Sequence, residues 1–141
     1  MNKLDKESVT GISALLVHAA NIDEIYSDHE KNLIKDFIKS YLDEDTDKIL
    51  KKAEEIENNS NQLLNYTNII KANSLEIKKD IIEHLWKVII SDNTVDQYES
   101  NLMRRICGLI YFPDKECAEI KLKLMASKWH ISLKMNVLSV S

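Results

Sequence analysis

The sequence predicts an all-α protein of about seven helices in a single bundle. Only two glycines and one proline occur among 141 residues, so residues that end helices or form tight turns are scarce. Apolar residues recur at the three- and four-residue spacing of amphipathic helices along most of the chain. The chain also repeats itself, because residues 16–38 align with residues 85–107 at a constant offset of 69 (92 − 23 and 99 − 30). This repeat predicts two related helical hairpins that share one core.

Four helices are predicted before the second copy of the repeat. The first runs from Ser8 to Asn21 and the second from Ser27 to about Leu42. A charged third helix follows within residues 43–59, and its narrow apolar stripe predicts a solvated outer face. The polar run 58–61 is predicted to break the chain before a short fourth helix over residues 63–72.

Three more helices complete the prediction. The fifth begins at Asn73-Ser74 and runs to about Ser91, and its wide apolar face predicts the central buried helix. The sixth runs from Asp96 to Tyr111, where Pro113 ends it because proline has no backbone N–H to donate. The seventh runs from Lys115 to about Lys128.

The C-terminal tail, residues 129–141, fits no single prediction. Its hydropathy alternates weakly, so an extended arm, a short strand and pairing with another copy all stay open. We therefore expect a helical domain over residues 1–128 and a tail of unknown structure over residues 129–141.

Composition and charge exclude several classes of function. The net charge of −4 disfavours nucleic-acid binding, for which a basic surface is the usual requirement. No apolar run approaches the roughly 18–20 residues that a membrane span needs, and the polar N-terminus lacks the apolar core of a signal peptide. The two cysteines form no metal-binding motif, and Cys107 is expected to be a buried reduced thiol. These features predict a cytoplasmic protein.

Two acidic turns are the candidate functional site. Asp23 and Asp92 each precede a glutamate, Glu30 and Glu99, by seven positions. Carboxylate oxygens are the ligands that hard cations prefer, so Ca²⁺, Mg²⁺ or Mn²⁺ is the predicted ligand at these four residues. The spacing differs from that of an EF-hand, whose bidentate glutamate lies about eleven residues after the first ligand.

Helix capping offers a simpler interpretation of the two glutamates. Ser27 and Glu30 have the spacing of a capping box, and Asp96 and Glu99 repeat it with aspartate as the cap. Asp23 and Asp92 each lie four residues before the cap and are therefore the more informative pair. Their alternative role is to end the preceding helices.

No catalytic signature accompanies these turns. The four histidines are scattered, and no helix carries the Glu-x-x-His pairing of carboxylate-bridged metal enzymes. Too few glycines are present to build a phosphate-binding loop, so no organic cofactor is predicted. Besides a metal-binding module, a metal-independent interaction or scaffold protein stays open. Its contact to a protein partner or to a second copy in a homo-oligomer would be the tail from Trp129.

At these turns the sequence resembles the TerB-like (tellurite-resistance protein B) family. The segments LLVHAANIDEIYSDHEKNLI and LWKVIISDNTVDQYESNLMRRICGLI resemble its repeated helix, Asp-Gly turn and acidic helix start, and the resemblance covers about residues 8–125. The family's Asp-Gly is replaced by Asp23-Glu24 and Asp92-Asn93. Because asparagine adopts the left-handed backbone more readily than glutamate, Asp92 is the stronger metal candidate.

The resemblance implies an all-helical cytoplasmic protein without enzymatic activity. It also implies a role in tellurite resistance or general stress response, or in assembly with protein partners that include membrane-associated ones. The divalent-metal role of the family's acidic turns is carried to Asp23, Glu30, Asp92 and Glu99.

Overall fold

Seven helices make up the part of the chain that the structure describes. The computed structural model describes residues 4–22, 26–59, 63–90 and 97–140, and gives only the backbone of residues 63, 64, 97 and 128–140. The helices are α1 (Lys6–Asn21), α2 (Asp28–Tyr41), α3 (Thr46–Asn59), α4 (Leu63–Lys71), α5 (Leu75–Ile90), α6 (Gln97–Leu109) and α7 (Asp114–Val140). The predicted all-α class and helix number are confirmed for these residues.

The helix boundaries reproduce the internal repeat. Helices α1 and α5 both have 16 residues and begin 69 positions apart, and α2 and α6 also begin 69 positions apart (75 − 6 and 97 − 28). Equivalent positions are buried in both copies, as the pairs Ile12 and Ile81, Leu16 and Leu85, and Ile34 and Met103 illustrate. Helices α3 and α7 begin 68 positions apart (114 − 46), so the repeat extends to a third helix, with α4 between the two units.

The core lies around α1 and α5, which pack against each other. Helix α1 also contacts α2, α3 and α4, whereas α5 contacts α2, α4 and α7. The sequence predicts α5 as the central helix, yet α1 is the more enclosed of the two, since every residue from Val9 to Val17 is buried. Three of these residues, Thr10, Gly11 and Ser13, are small or polar and do not contribute to a hydrophobic pattern. A Cβ added at Gly11 would lie 2.8 Å from Ile69 Cδ1, so the missing side chain permits the close approach of α4.

A polar and aromatic cluster joins the first unit to the second at the contact between α2 and α5. The Tyr41 hydroxyl donates a hydrogen bond of 2.5 Å to Asp80 Oδ2. The Phe37 ring packs against Tyr41 and His84, with ring centroids 5.1 and 5.2 Å apart. Burial, and then the bond to Asp80, raise the pKa of Tyr41 above its ordinary range, so the phenol stays protonated and acts as the donor.

Helix α6 ends earlier than the sequence predicts. It stops at Leu109 instead of Tyr111, because the chain turns back in a Schellman motif. The Phe112 N–H donates to Cys107 O at 2.8 Å, and Tyr111 adopts the left-handed conformation with φ of 60°. The helix has therefore already ended before Pro113.

Helix α7 continues through the tail that the sequence left open. It has 27 residues and reaches Val140, so the tail is neither an extended arm nor a strand up to that residue. The apolar residues of the segment follow a two-residue spacing from Trp129 to Val137, which does not form a stripe on a helix. The predicted break at 58–61 is only partly tested, since Asn58 and Asn59 belong to α3 and residues 60 and 61 lie outside the described ranges.

None of the helices in the described ranges is long and apolar enough to cross a membrane.

Candidate functional site

A complete capping box forms at the start of α2. Glu30 Oε1 accepts hydrogen bonds from Ser27 N–H at 2.9 Å and from the Ser27 hydroxyl at 3.0 Å, and Glu30 N–H donates to Ser27 Oγ at 3.2 Å. The capping role predicted for Ser27 and Glu30 is therefore confirmed. Glu30 is nevertheless only 6% exposed, which is unusual for a carboxylate at a helix start.

Glu99 lies at the equivalent place on α6, at the third residue of that helix, and is only 3% exposed. Asp23 and Asp92 lie outside the described residues, as does Asp96, the predicted cap of α6. The structure thus places one glutamate of each predicted pair in a buried position at a helix start.

An acidic pocket adjoins the first turn. It has a volume of about 380 Å³ and lies between the end of α1, Tyr26 and the second half of α3. Its carboxylates are Glu54, Glu55 and Glu57. Burial is the largest influence that raises the pKa of Tyr26, followed by the neighbouring carboxylate of Glu54 and by the charges of Glu30 and Glu57. The pocket therefore concentrates negative charge beside Tyr26, with three glutamates against the single lysine Lys51.

Two of the pocket's polar partners come from α1. Asn21 Nδ2 donates to Glu57 Oε2 at 3.2 Å, and His18 Nδ1 lies 3.3 Å from Glu57 Oε1. Sequence reasoning missed the part played by α3, because its charged residues were interpreted as one solvated face. The available signal was the three-residue spacing of Glu54 and Glu57, which places both on one side of the helix.

Within residues 4–22, 26–59, 63–90 and 97–127, no three histidine, cysteine, aspartate or glutamate side chains are grouped as a metal site. The carboxylates near Tyr26 therefore need further oxygen ligands before they can hold a cation. Asp23 and Glu24 are the nearest acidic residues in sequence to Asn21 and Tyr26, and they lie outside the described residues.

The structure also describes the surroundings of the histidine, tryptophan and arginine residues considered in the sequence analysis. His84 Nδ1 lies 2.8 Å from Asp80 O, whereas His18 contacts Glu57, so each histidine has its own partner. Trp86 is buried in the core as predicted, and Lys121 Nζ lies 5.3 Å from its ring centroid. Arg104 and Arg105 are both exposed on α6.

The chain was compared with known families, curated proteins and solved structures. The profile of one family, described as tellurite resistance protein TerB, matches residues 10–122. No curated protein and no solved structure gives a significant match. The profile covers most of the chain, including both acidic turns, the whole of α2 to α6 and parts of α1 and α7, so the chain belongs to the TerB family.

Proposed function

We propose that this protein is a non-catalytic module of tellurite resistance or general stress response that binds a divalent cation through its two acidic turns. The observation that carries the proposal is the duplicated glutamate. Glu30 and Glu99 lie 69 residues apart at the starts of equivalent helices, and both are buried. Core residues at this position would be expected to be apolar, and helix caps would be expected to be exposed.

The cost of burying a carboxylate supports a cation at each turn. A buried charge requires compensation by hydrogen bonds or by an opposite charge. Ser27 supplies hydrogen bonds to Glu30 Oε1, and the N-terminus of α2 adds a partial positive charge. A cation held between the glutamate and the aspartate seven positions earlier would add an opposite charge beside both carboxylates.

The ion proposed is hard and prefers oxygen ligands. The pocket at Tyr26 gathers three glutamates and two asparagines with one lysine, Lys51, and its oxygen groups favour Ca²⁺, Mg²⁺ or Mn²⁺ over thiophilic metals. Glu54 and Glu57 would raise the local affinity for cations through their charge. At the second turn Asp92 stays the stronger candidate, because Asn93 readily adopts the backbone that the family's glycine supplies.

A thermal-unfolding series tests this proposal. Ca²⁺, Mg²⁺ and Mn²⁺ are each added at millimolar concentration, and a sample with a chelator is the control. An ion at about 100 times its Kd stabilises the folded state by about 2.7 kcal/mol. For a domain of this size that corresponds to a rise in Tm of roughly 5–15 °C. No rise with any of the three ions would contradict a functional metal site.

The alternative is a metal-independent interaction or scaffold domain, and the length of α7 favours it. Helix α7 has 27 residues whereas α5, against which it packs, has 16, so α5 cannot cover its whole length. The second half of α7 would then contact a protein partner, a membrane-associated one included, or a second copy of the chain.

Deleting residues 129–141 and measuring the mass by light scattering tests the self-association form of this alternative. We expect a full-length dimer that becomes a monomer on deletion. If the full-length chain is already monomeric, it does not self-associate through the tail, and this form of the alternative is wrong.

A further inference from the structure

The second helical unit contains a pair of neighbouring buried thiols. Cys107 lies on α6 and Cys117 in the first turn of α7, and each thiol is the largest influence on the pKa of the other. Both are free and buried, with exposures of 0% for Cys107 and 5% for Cys117. In the first unit the corresponding residues are the buried Ile38 and, allowing for the one-residue shift of the third helix, Ile49. The thiols thus replace apolar core residues.

A pocket opens onto one of the two sulfur atoms. It has a volume of about 470 Å³, lies between α5, α6 and α7, and includes Cys117 in its wall. Arg104 and Lys121 also line it, whereas Asp114 is its only carboxylate among the lining residues. An anion or a developing negative charge at Cys117 would therefore meet two cationic side chains.

A buried donor without a partner lies in the same pocket. Trp86 is 3% exposed and contributes to the pocket wall beside Cys117. Its indole Nε1 is buried and has no partner of hydrogen-bonding geometry within the described residues. A buried N–H of this kind carries a free-energy cost unless a ligand or an anionic group accepts from it. We therefore expect an acceptor for this N–H to bind or to form at Cys117.

The surroundings distinguish the two thiols chemically. The Cys107 thiol is the largest influence that lowers the pKa of Cys117, and the Lys121 charge acts in the same direction against burial and Asp114. The start of α7 also favours a thiolate there. The bond to Cys117 and burial raise the pKa of Cys107. Cys117 also lines the pocket and Cys107 does not, so Cys117 is the thiol that a reagent in the pocket reaches.

We propose that Cys117 is a site of oxidation by hydroperoxides, and that Cys107 converts the oxidised sulfur into an intramolecular disulfide that links α6 to α7. Cys117 lines the pocket, and Cys107 is the buried thiol near it. The two cysteines lie ten residues apart in sequence (117 − 107). A reactive thiol beside a second one is the arrangement typical of reversible cysteine oxidation. This proposal does not depend on the function proposed for the acidic turns.

The reaction balances with a hydroperoxide as the only oxidant. The Cys117 thiolate attacks one peroxide oxygen, the O–O bond breaks, and the leaving alkoxide or hydroxide takes the proton that Cys117 lost. Cys107 sulfur then attacks the sulfenic acid at Cys117, the S–O bond breaks, and the departing hydroxide leaves as water with the Cys107 proton. Two thiols are oxidised by two electrons, and one hydroperoxide is reduced to water and an alcohol, or to two waters.

The test exposes the folded full-length chain to hydrogen peroxide and then blocks free thiols under denaturing conditions. We expect mass spectrometry to show the loss of two hydrogens, a peptide linked through Cys107 and Cys117, and restoration by dithiothreitol. In Cys107→Ala the sulfenic acid should persist at Cys117 and be trapped by dimedone. In Cys117→Ser the remaining thiol should stay unreactive. Arg104→Gln should slow oxidation several-fold, whereas Arg105→Gln, a matched change outside the pocket, should not.

Three results would overturn the proposal. The first is a folded wild-type chain that keeps both thiols after excess peroxide, while the unfolded chain forms the disulfide. The second is oxidation that yields only disulfides between chains. The third is equal slowing by Arg104→Gln and Arg105→Gln, since that would remove the role of the pocket. Circular dichroism of each variant checks that the compared chains are folded.

Discussion

Glu30 and Glu99 occupy the same position in two copies of one helical hairpin, and both carboxylates are buried. Their helices begin at Asp28 and Gln97, 69 residues apart. The capping box at Ser27 accounts for the hydrogen bonds of Glu30, yet an ordinary capping glutamate lies at the surface. Capping and cation binding are therefore compatible roles for these residues, and separate substitutions can distinguish them.

Ser27→Ala tests the capping role. The change removes the hydroxyl that accepts from Glu30 N–H, so we expect the free energy of unfolding to fall by about 1 kcal/mol. Urea denaturation followed by circular dichroism measures this. The metal-induced rise in Tm should persist in the variant, because the carboxylate stays. A stability equal to that of wild type would mean that the box contributes nothing to α2.

Glu30→Gln separates the charge from the cap. Glutamine can still accept at its side-chain oxygen, so we expect a smaller loss of stability than in Ser27→Ala. The response of Tm to divalent ions should fall, since the amide is a weaker ligand for a hard cation than a carboxylate. Glu76→Gln, an exposed change on α5, is the matched control. If Glu30→Gln showed the same rise in Tm with divalent ions as wild type, Glu30 would act only as part of the helix cap.

The close contact of α1 with α4 predicts different effects for alanine at the two glycines. Gly108→Ala meets no atom within 4 Å and should raise the free energy of unfolding by about 0.5–1 kcal/mol through helix propensity. Gly11→Ala should lose this gain, because its Cβ would lie 2.8 Å from Ile69 Cδ1. Chemical denaturation of both variants gives the comparison.

Ile69→Val tests whether that single atom is responsible. Valine lacks Cδ1, so Gly11→Ala should be better tolerated in the Ile69→Val background than in wild type. A double-mutant cycle gives the coupling between the two positions. Purely additive effects would mean that the Gly11 contact does not limit the packing of α4.

Tyr41→Phe tests the bond between the two helical units. At neutral pH we expect a loss of about 1 kcal/mol, because the hydroxyl donates to the half-buried Asp80 carboxylate. The raised pKa of Tyr41 means that its contribution is complete below the ordinary phenol pKa of about 10 and is lost as pH rises above it. The stabilities of wild type and Tyr41→Phe should therefore converge above about pH 10. Tyr98→Phe, at an exposed position, should match wild type at every pH. A difference independent of pH would contradict the assignment of the donor.

The sequence predicts helices well where their apolar residues form a stripe and a cap marks the start. Helix α2 is such a case, since Ser27 and Glu30 fix its first residue. The burial of α1 was underestimated, because Thr10, Gly11 and Ser13 are small residues whose role is to permit close packing. The tail was not recognised as helix, because its apolar residues are spaced as in a strand.

The candidate site was predictable only in part, for a related reason. Repetition identified Glu30 and Glu99, and their equivalence in the fold follows from the common offset. The acidic pocket depends on α3 crossing the end of α1, which brings Glu57 to His18 and Asn21 from 36 to 39 residues away. A local pattern carries no information on such a contact. The thiol pair was hidden in the same way, since Cys107 and Cys117 meet only through the turn after α6.

Isothermal titration calorimetry tests the central claim most directly. Metal-free wild type is titrated with Ca²⁺, Mg²⁺ and Mn²⁺ beside Asp23→Asn, Asp92→Asn and the double variant, each checked for folding. The account predicts saturable binding of at least one ion by wild type, weaker binding in each single variant, and none in the double variant. Absence of binding in wild type, or an unchanged affinity in the folded double variant, would contradict it.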